Sequence, residues 1–366
     1  MYDTDVFVVG GGPAGLAAAL AVRAKGLDVI VADPARPPID KACGEGLMPD
    51  GLAALAALGV TLTPAEGFPF RGIRFLNSDV SVAADFPTGP GVGIRRTALH
   101  GALTDAAFSS GAHLMWGKRV SHISTDGVTV DGDVIRARWI IGADGENSRV
   151  RAWTGLDTPK RCQRRFGFRR HYRVEPWTDS MEIYWGPSAQ IYVTPVTPTD
   201  VCVALISRDP HLRLDAALPR IPAIAERLKN APVSTDERGA VTATRKLRSV
   251  YTGSVALIGD ASGSVDAITG EGLCLAFHQA LALADAMDRG DLAAYAVEHA
   301  RIARKPGFMA ALMLAFDERP VLRDRVFRAL SARPAIFEDM LGMHVGDLSA
   351  RVLVSNGFAL AREMTL

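Results

Sequence analysis

The sequence predicts an α/β protein in which a Rossmann-type domain carries an inserted antiparallel β-sheet and is followed by C-terminal helices. Three observations lead to this prediction. A strand-like run at Asp5–Val9 leads through a glycine-rich turn into an Ala/Leu-rich segment, aromatic and β-branched residues dominate from Cys162 to Ser207, and the chain after Gly272 is mostly helical in pattern. Strands that alternate with helices imply a parallel sheet.

The N-terminal elements form a β-α-β unit. A buried strand is predicted at Asp5–Val9, a helix at Pro13–Lys25 and a second buried strand at Leu27–Ala32. Pro13 suits the first helical turn, where a missing N–H costs little. Further along we predict a Pro/Gly-rich loop at Pro34–Pro49, a helix at Asp50–Leu58, a hairpin at Phe70–Phe86 and a helix at Arg96–Ser110.

Later segments continue this pattern. Val120–Ile141 is predicted to form three strands with turns at Asp126-Gly127 and Asp131-Gly132, and Cys162–Ser207 a sheet with turns near Pro187 and Pro198. We also predict a helix at Leu212–Asn230 interrupted by Pro219 and Pro222, a strand at Ser254–Ile258 and a buried helix at Phe308–Phe316. The expected domains are a discontinuous nucleotide-binding domain (1–68, 90–160 and 250–300), a substrate domain (69–89 and 161–249) and a helical region (301–366).

Composition narrows the class of protein. The 366 residues contain 41 Lys and Arg against 40 Asp and Glu, so bulk charge gives no attraction to nucleic acid. The four cysteines are widely separated, which argues against a zinc motif or a disulfide framework, and no metal site is expected. The N-terminus lacks the pattern of a signal peptide, and the longest late apolar run is too short to span a membrane, so a cytoplasmic location is expected. The oligomeric state is not indicated.

The glycine-rich turn is the first functional motif. It follows a strand, opens a helix and has the G-x-G-x-x-G spacing of dinucleotide-binding proteins, in which the glycines permit a tight turn, close approach to a pyrophosphate and helix–strand packing. Asp33 ends the second strand, where an acidic partner of a ribose is expected. The candidate cofactor-binding residues here are Gly10, Gly12, Pro13, Ala14, Gly15 and Asp33.

Two further motifs follow buried strands. Ile140-Ile141-Gly142-Ala143-Asp144-Gly145 is the second, and Val255-Ala256-Leu257-Ile258-Gly259-Asp260 is the third. With three motifs in this order, the chain resembles the FAD-dependent monooxygenases of the para-hydroxybenzoate hydroxylase type and the related geranylgeranyl reductases, over about residues 3–300.

The resemblance implies a role for each motif. The glycine-rich turn would hold the ADP part of FAD, Asp144 and Gly145 would lie beside the pyrophosphate, and Gly259-Asp260 would place a carboxylate on the ribityl chain. An arginine at the start of a helix would contact the FAD phosphates, and we favour Arg95 over Arg96 from its spacing to Leu99. NAD(P)H is the implied electron donor, and it would reach the flavin directly because no second G-x-G-x-x-G is present.

Two segments near the expected flavin distinguish branches of the family. Gly270-Glu271-Gly272 occupies the position of a helix start that faces the flavin in aromatic hydroxylases, but Ala267 replaces the expected proline, and the form TGEG is closer to the reductases. Cys43-Gly44 also resembles the reductases. Gly44, Glu45 and Pro49 resemble flavin-dependent halogenases, although the halogenase signature W-x-W-x-I-P is missing. Lys41, Gly44, Glu45 and Gly270 to Gly272 complete the candidate cofactor site.

Catalytic candidates are fewer. Cys43 either acts on the flavin or packs beneath it as a small residue. In the basic run Arg164–Arg173, alternation places Arg169, His171 and Arg173 on one strand face, which is either solvated or binds an acidic or phenolate substrate that His171 helps to deprotonate. Three aromatic residues either line an aromatic pocket or belong to the core. They are Tyr184, Trp185 and Tyr192.

The expected activity is an NAD(P)H-dependent monooxygenase of secondary metabolism that hydroxylates an aromatic or polyketide-like molecule through a C4a-hydroperoxyflavin. The alternative is a geranylgeranyl-reductase-like enzyme that reduces isoprenoid double bonds of a lipid-like substrate. Halogenation is disfavoured. A flavin-binding protein without catalytic activity is the remaining possibility, and the complete set of phosphate and ribityl motifs argues against it.

Overall fold

A computed structural model describes residues 2–63, 65–77, 79–124, 127–157, 164–186 and 189–346. Four sheets are formed within these ranges. The strands are β1 (Thr4–Val9), β2 (Val29–Asp33), β3 (Gly46–Leu47), β4 (Phe68–Phe70), β5 (Gly72–Leu76), β6 (Ser81–Asp85), β7 (Gly91–Gly93), β8 (His113–Trp116), β9 (Val120–Ser124), β10 (Gly127–Val130), β11 (Asp133–Ile135), β12 (Ala137–Gly142), β13 (Arg164–Arg173), β14 (Ser180–Trp185), β15 (Ala189–Thr197), β16 (Asp200–Ser207), β17 (Arg238–Ala243), β18 (Tyr251–Thr252) and β19 (Val255–Leu257).

The helices lie between these strands and after them. They are α1 (Pro13–Ala24), α2 (Pro49–Ala57), α3 (Arg96–Ser109), α4 (Arg149–Trp153), α5 (Leu214–Ala217), α6 (Pro222–Leu228), α7 (Gly272–Arg289), α8 (Leu292–Ile302), α9 (Arg304–Glu318), α10 (Pro320–Ala332) and α11 (Pro334–His344). Short 3-10 turns occupy Leu218–Arg220, Gly259–Ser262 and Ala267–Thr269.

A six-stranded sheet in the order β18-β19-β12-β1-β2-β8 forms the Rossmann-type core. All neighbouring pairs are parallel except β18 with β19. The apolar residues of α1, α3 and α7 pack on one face of this sheet in a single buried cluster. The predicted β-α-β unit is confirmed, and so is the α/β fold class.

Two details of this region differ from the sequence prediction. Strand β8 was not predicted, because its four residues, HLMW, are only partly buried and lie at the sheet edge. Val120–Ile141 contains four strands rather than three, since β11 and β12 are separate and β12 joins the main sheet while β9, β10 and β11 pair antiparallel. Residues 125–126 of the first predicted turn lie outside the described residues.

A seven-stranded sheet in the order β17-β13-β16-β15-β14-β5-β6 stands opposite the nucleotide-binding turn. It is antiparallel except for the parallel pair β14 and β5. The predicted hairpin is confirmed as β5 and β6, and the turn near Pro198 connects β15 to β16. Cys162 and the turn at Pro187 lie outside the described residues.

Helices cover both faces of this sheet. On one face α5 and α6 are separated by the 3-10 turn at Leu218–Arg220, which confirms the predicted interruption by Pro219 and Pro222. On the other face α9 to α11 bury an apolar cluster against β5, β6 and β14. Met309, Met313 and Phe316 are buried in α9, as predicted. Within the described ranges, no helix has the length and apolar character needed to cross a bilayer.

Candidate active site

A cavity of about 620 Å³ lies between the carboxyl ends of β1, β2 and β12 and the inner face of the seven-stranded sheet. Ligands of open α/β sheets bind in the crevice at this end of the strands. Of the residues predicted to form the site, all line the cavity except Gly15, Arg95, His171 and Glu271. The positions of these four residues show how the site is built.

The glycine-rich turn has almost no spare space on the protein side. A Cβ on Gly10 would lie 2.5 Å from the carbonyl oxygen of Ala143, and a Cβ on Gly15 would lie 1.8 Å from the carbonyl oxygen of Gly10. Gly15 therefore allows α1 to pack against the turn and does not reach the cavity. Gly12 is different, because a Cβ there would meet no protein atom within 4 Å, although Gly12 lines the cavity.

Two side chains fix the shape of this turn. Asp33 Oδ2 accepts a 2.7 Å hydrogen bond from the N–H of Gly11, and its Oδ1 accepts one of 2.7 Å from Ala35. Behind the turn, Nε2 of the buried His100 lies 2.9 Å from the carbonyl oxygen of Gly11. Burial lowers the pKa of His100, which favours the neutral ring, and that ring donates this bond in the tautomer that carries its proton on Nε2. His100 could not be recognised from the sequence, since a single histidine in a helix carries no motif.

The two adjacent arginines at the start of α3 have different surroundings. Arg96 lines the cavity, and its buried Nε finds no hydrogen-bond partner among the described residues. Arg95 does not line the cavity, although its Nη2 is also buried without a hydrogen-bond partner among the described residues. The geometry therefore favours Arg96 over the predicted Arg95 as a phosphate ligand.

Asp144 and Gly145 line the cavity after β12. The Asp144 carboxylate accepts hydrogen bonds from Ser148 Oγ at 2.5 Å and from the backbone N–H groups of Arg149 at 2.7 Å and Val150 at 3.2 Å. Asp144 thus caps the start of α4. With its oxygens engaged in these bonds, Asp144 holds the adjacent Gly145 backbone, which has a positive φ of 79°, at the cavity.

Asp260 is the exposed carboxylate at the opposite wall. Its Oδ2 lies 3.8 Å from Nζ of Lys41, and both side chains are about half exposed. Gly259 precedes it with a positive φ of 58°, and its N–H donates a 2.8 Å hydrogen bond to Oε1 of the buried Gln279 in α7. Asp260 lines the cavity and is exposed, so its carboxylate is placed to accept hydrogen bonds from hydroxyl groups there.

The start of α7 also faces the cavity. Gly270 and Gly272 line it, and a Cβ on either would meet no protein atom within 4 Å. Glu271 points to the other side and is buried, and burial raises the pKa of its carboxyl well above the ordinary value. The backbone around Glu271, rather than its side chain, is therefore available to a cofactor.

The segment around Cys43 joins the cavity to the seven-stranded sheet. Cys43 and Gly44 line the cavity, and Thr194 Oγ1 donates a 2.8 Å hydrogen bond to the Gly44 carbonyl. Glu45 is buried with a positive φ of 59°, and its Oε1 accepts a 2.9 Å bond from the Arg96 N–H. A residue that is not glycine seldom adopts this φ, so the surrounding contacts hold the loop in place.

His171 is buried behind this loop. Its Nε2 lies 2.6 Å from Glu45 Oε2, and its Nδ1 lies 2.8 Å from Thr235 Oγ1. Both ring nitrogens therefore have partners, and the ring does not line the cavity. This position does not fit the predicted role of a base that touches the substrate. His171 instead positions Glu45.

Arg169 and His171 on the basic strand face are buried, so of the two alternatives left open by the sequence, a solvated face does not hold for these two residues. Arg169 pairs with Asp40 and lies 3.7 Å from Glu45, and it is almost fully buried together with His171, whereas Arg173 is exposed. The pattern of alternation was correct, but the loop 40–45 covers the face. Asp40 and Glu45 compensate the positive charge of Arg169, which also lines the cavity.

Apolar side chains of the seven-stranded sheet form one wall of the cavity. Tyr192 lines it, and its buried hydroxyl donates a 2.7 Å hydrogen bond to the carbonyl oxygen of Ile268, just before α7. Tyr184 and Trp185 lie in the cores and not on the cavity. Met181 and Ile206 also belong to this wall of the sheet, and Met48, Val265 and Leu273 add apolar side chains to the cavity from outside the sheet.

These features fit FAD. Gly12, Gly270 and Gly272 leave room in which only a ligand would contact the backbone, and Arg96 presents an unpartnered buried N–H at the same cavity. Helix N-termini and arginine are the groups that bind phosphates, and short acids such as Asp260 accept hydroxyl hydrogen bonds. The fold and site together define a flavin-dependent oxidoreductase.

Comparison with known proteins agrees with this class. The family described as FAD binding domain matches residues 3–289, so the chain belongs to that family, the type predicted from its motifs. A menaquinone reductase of Mycolicibacterium smegmatis is 28% identical over 318 residues, which cover 80% of this chain and 78% of the relative. A 3-(3-hydroxy-phenyl)propionate/3-hydroxycinnamic acid hydroxylase of a Mycobacterium species is 30% identical over 169 residues, 42% of this chain and 30% of the relative.

Among solved structures, the flavin-dependent brominase Bmp2 superposes with a TM-score of 0.81 at 17% identity and covers 98% of both chains. At this identity the likeness shows a shared fold alone. The chain is an FAD-dependent oxidoreductase of the monooxygenase-type family.

Proposed function

We propose that this enzyme is an NAD(P)H-dependent monooxygenase that hydroxylates an apolar aromatic or polyketide-like molecule bound against the wall of the seven-stranded sheet. The observation that carries the proposal is the continuity of one cavity, which joins the nucleotide-binding turn and the start of α7 to the apolar side chains of β14, β15 and β16. The hydroxylase relative supports the reaction class.

FAD, when bound, would supply the two-electron chemistry and the activation of O₂. The residues of the chain would divide the remaining tasks. Gly12 and Arg96 would hold the phosphates, and Asp260 the ribityl hydroxyls. The N-terminus of α7 would stabilise negative charge on the reduced ring. The apolar wall around Met181 and Ile206 would exclude water, which otherwise competes with the substrate for activated oxygen.

Isotope incorporation tests this proposal. FAD-loaded protein is supplied with NADH or NADPH and panels of phenols and aromatic polyketides under ¹⁸O₂. A monooxygenase gives a product with one ¹⁸O atom and one NAD(P)H consumed for each product molecule. NAD(P)H oxidation that yields only hydrogen peroxide with every panel member would contradict the proposal.

A reductase is the second candidate, favoured by the menaquinone reductases, which align over most of their own length. Cys43, half-buried at the cavity, also suits this reading, as does the TGEG segment. Under anaerobic conditions with prenylated quinones, a reductase gives a product that gains two hydrogens and no oxygen. The two proposals thus differ in the mass of the product.

A further inference from the structure

A second group of polar side chains, buried or half-buried, lies immediately behind the start of α7. Glu271, Cys274 and His278 follow one another at spacings of three and four, so they form one stripe on this helix. Asp50, in the first turn of α2, lies opposite this stripe, and the Cys274 thiol donates a 2.9 Å hydrogen bond to Asp50 Oδ2. Nδ1 of His344, at the end of α11, lies 3.7 Å from Oε2 of Glu271.

The geometry of three of these residues suits one ion. The carboxylate oxygen of Asp50, the sulfur of Cys274 and a ring nitrogen of His278 all lie within 4.8 Å of one another. The packing of α2 on α7 fixes this arrangement, since a Cβ on Gly51 would lie 3.4 Å from the Cβ of Cys274. His278 is only half-buried, which gives an ion access from solvent.

Three polar atoms of this group lack a hydrogen-bond partner among the described residues. Asp50 Oδ1, Glu271 Oε2 and His344 Nδ1 are buried and have no hydrogen-bond partner among the described residues. Glu271 Oε2 and His344 Nδ1 are 3.7 Å apart, too far for a hydrogen bond. In the part of the chain that the structure describes, no Lys or Arg pairs with Asp50 or Glu271. Buried acids without a cationic partner are costly.

Compact groups of potential metal ligands in this protein do not all lack hydrogen-bond partners. Glu45, His171 and Cys202 form another compact group of potential ligands. There, however, Glu45 and His171 bond each other at 2.6 Å, and Glu45 also accepts from Arg96. That group is satisfied by its own protein contacts.

We propose that Asp50, Cys274 and His278 bind one divalent transition-metal ion of the zinc type, with a fourth position on the side of Glu271. Nitrogen, sulfur and oxygen ligands in a four-coordinate site are typical of Zn²⁺. The ion would convert the Cys274 thiol to a thiolate with release of one proton, and it would supply the positive charge that the two acids lack. Gly270 and Gly272 flank Glu271 and line the cavity, so the ion would hold the start of α7 in place.

No sequence motif indicates this site, because Asp50 and the Cys274–His278 pair are far apart in the chain and match no zinc motif. The pair itself is a C-x-x-x-H spacing on a helix, which places both side chains on one face.

Cobalt substitution tests the proposal on the FAD-loaded full-length protein. The protein is treated with a chelator, dialysed and titrated with Co²⁺, and the zinc content of untreated protein is measured by mass spectrometry. We expect one metal per chain and a thiolate-to-cobalt charge-transfer band in the near ultraviolet, best read as a difference spectrum against the flavin. Cys274→Ser should abolish the band and weaken binding by more than about 100-fold, since even indirect partners of metal ligands are worth about 10–100-fold.

Cys202→Ser is the matched control, because Cys202 is an equally buried thiol in the other group. It should keep the band. If Cys274→Ser does not fold, His278→Gln, at a half-buried position, should still retain FAD and weaken Co²⁺ binding. A folded, FAD-loaded wild-type protein that binds no Co²⁺ overturns the proposal, and so does a charge-transfer band that persists in Cys274→Ser or His278→Gln or disappears in Cys202→Ser.

Discussion

Gly12 and Gly15 belong to the same motif, but the structure predicts opposite effects of adding one methyl group at each. Gly12 has φ −72° and ψ 178°, an extended conformation open to any residue, and a Cβ there would meet no protein atom within 4 Å. Gly12→Ala should therefore leave the FAD-free protein as stable as wild type or more stable by about 0.4–1 kcal/mol, the usual gain from a less flexible unfolded chain.

FAD binding should respond in the other direction. A methyl group on Gly12 would occupy the space through which the backbone contacts the phosphates, and loss of a hydrogen bond to a charged group costs about 1.5–3 kcal/mol. This corresponds to about 10- to 150-fold weaker binding. In Gly15→Ala the methyl would lie 1.8 Å from a backbone oxygen, so the FAD-free protein itself should lose about 1–3 kcal/mol or more.

Two measurements separate these effects. Urea unfolding of the FAD-free proteins gives stability, and titration with FAD, followed by quenching of its fluorescence, gives affinity. The reasoning is refuted if Gly12→Ala binds FAD as tightly as wild type, or if it destabilises the FAD-free protein as much as Gly15→Ala does.

Three further predictions concern single side chains. Arg96→Met should weaken FAD binding by about 10- to 100-fold through loss of a charged phosphate contact, whereas Arg95→Met should change it by less than about threefold; equal effects in calorimetric titration would contradict the assignment. Asp260→Ala should lower the FAD stoichiometry of purified protein, and wild-type occupancy would exclude a ribityl contact. His299 is buried, which lowers its pKa from 6.5 to about 4. Because the unfolded chain takes up the proton first, stability should fall as the pH drops from 6.5 to 4, by up to about 3 kcal/mol. His299→Gln should flatten this slope in urea unfolding at a series of pH values; an unchanged slope would show that His299 is not responsible.

The parts of the fold that the sequence predicted are those with a strong local pattern. The β-α-β unit could be recognised because Val6 to Val9 form a continuous buried run and the glycines require one particular turn. Strand β8 could not, since its residues are only partly buried and its place beside β2 is decided by tertiary pairing.

The same division applies to the candidate site. Spacing located the segments that line the cavity, but it did not decide which of two adjacent arginines faces inward, because the direction of each side chain depends on packing in the folded protein. Alternation placed Arg169 and His171 on one face correctly. Their burial depends on Asp40 and Glu45 from another part of the chain, which no local pattern reveals.

The order of strands in the six-stranded sheet has a consequence for how the protein is made. The glycine-rich turn follows β1, which lies between β2 and β12, and β12 has β19 as its other neighbour. A nascent chain that ends before Val255 therefore has β12 as an uncovered edge and lacks the α7 helix that packs on α1. Because Gly259-Asp260 and α7 follow β19 in the chain, we expect the nucleotide-binding half to be completed, and FAD to be captured, only after this part has been synthesised. N-terminal fragments, although they contain the whole fingerprint, should accumulate as insoluble, colourless protein.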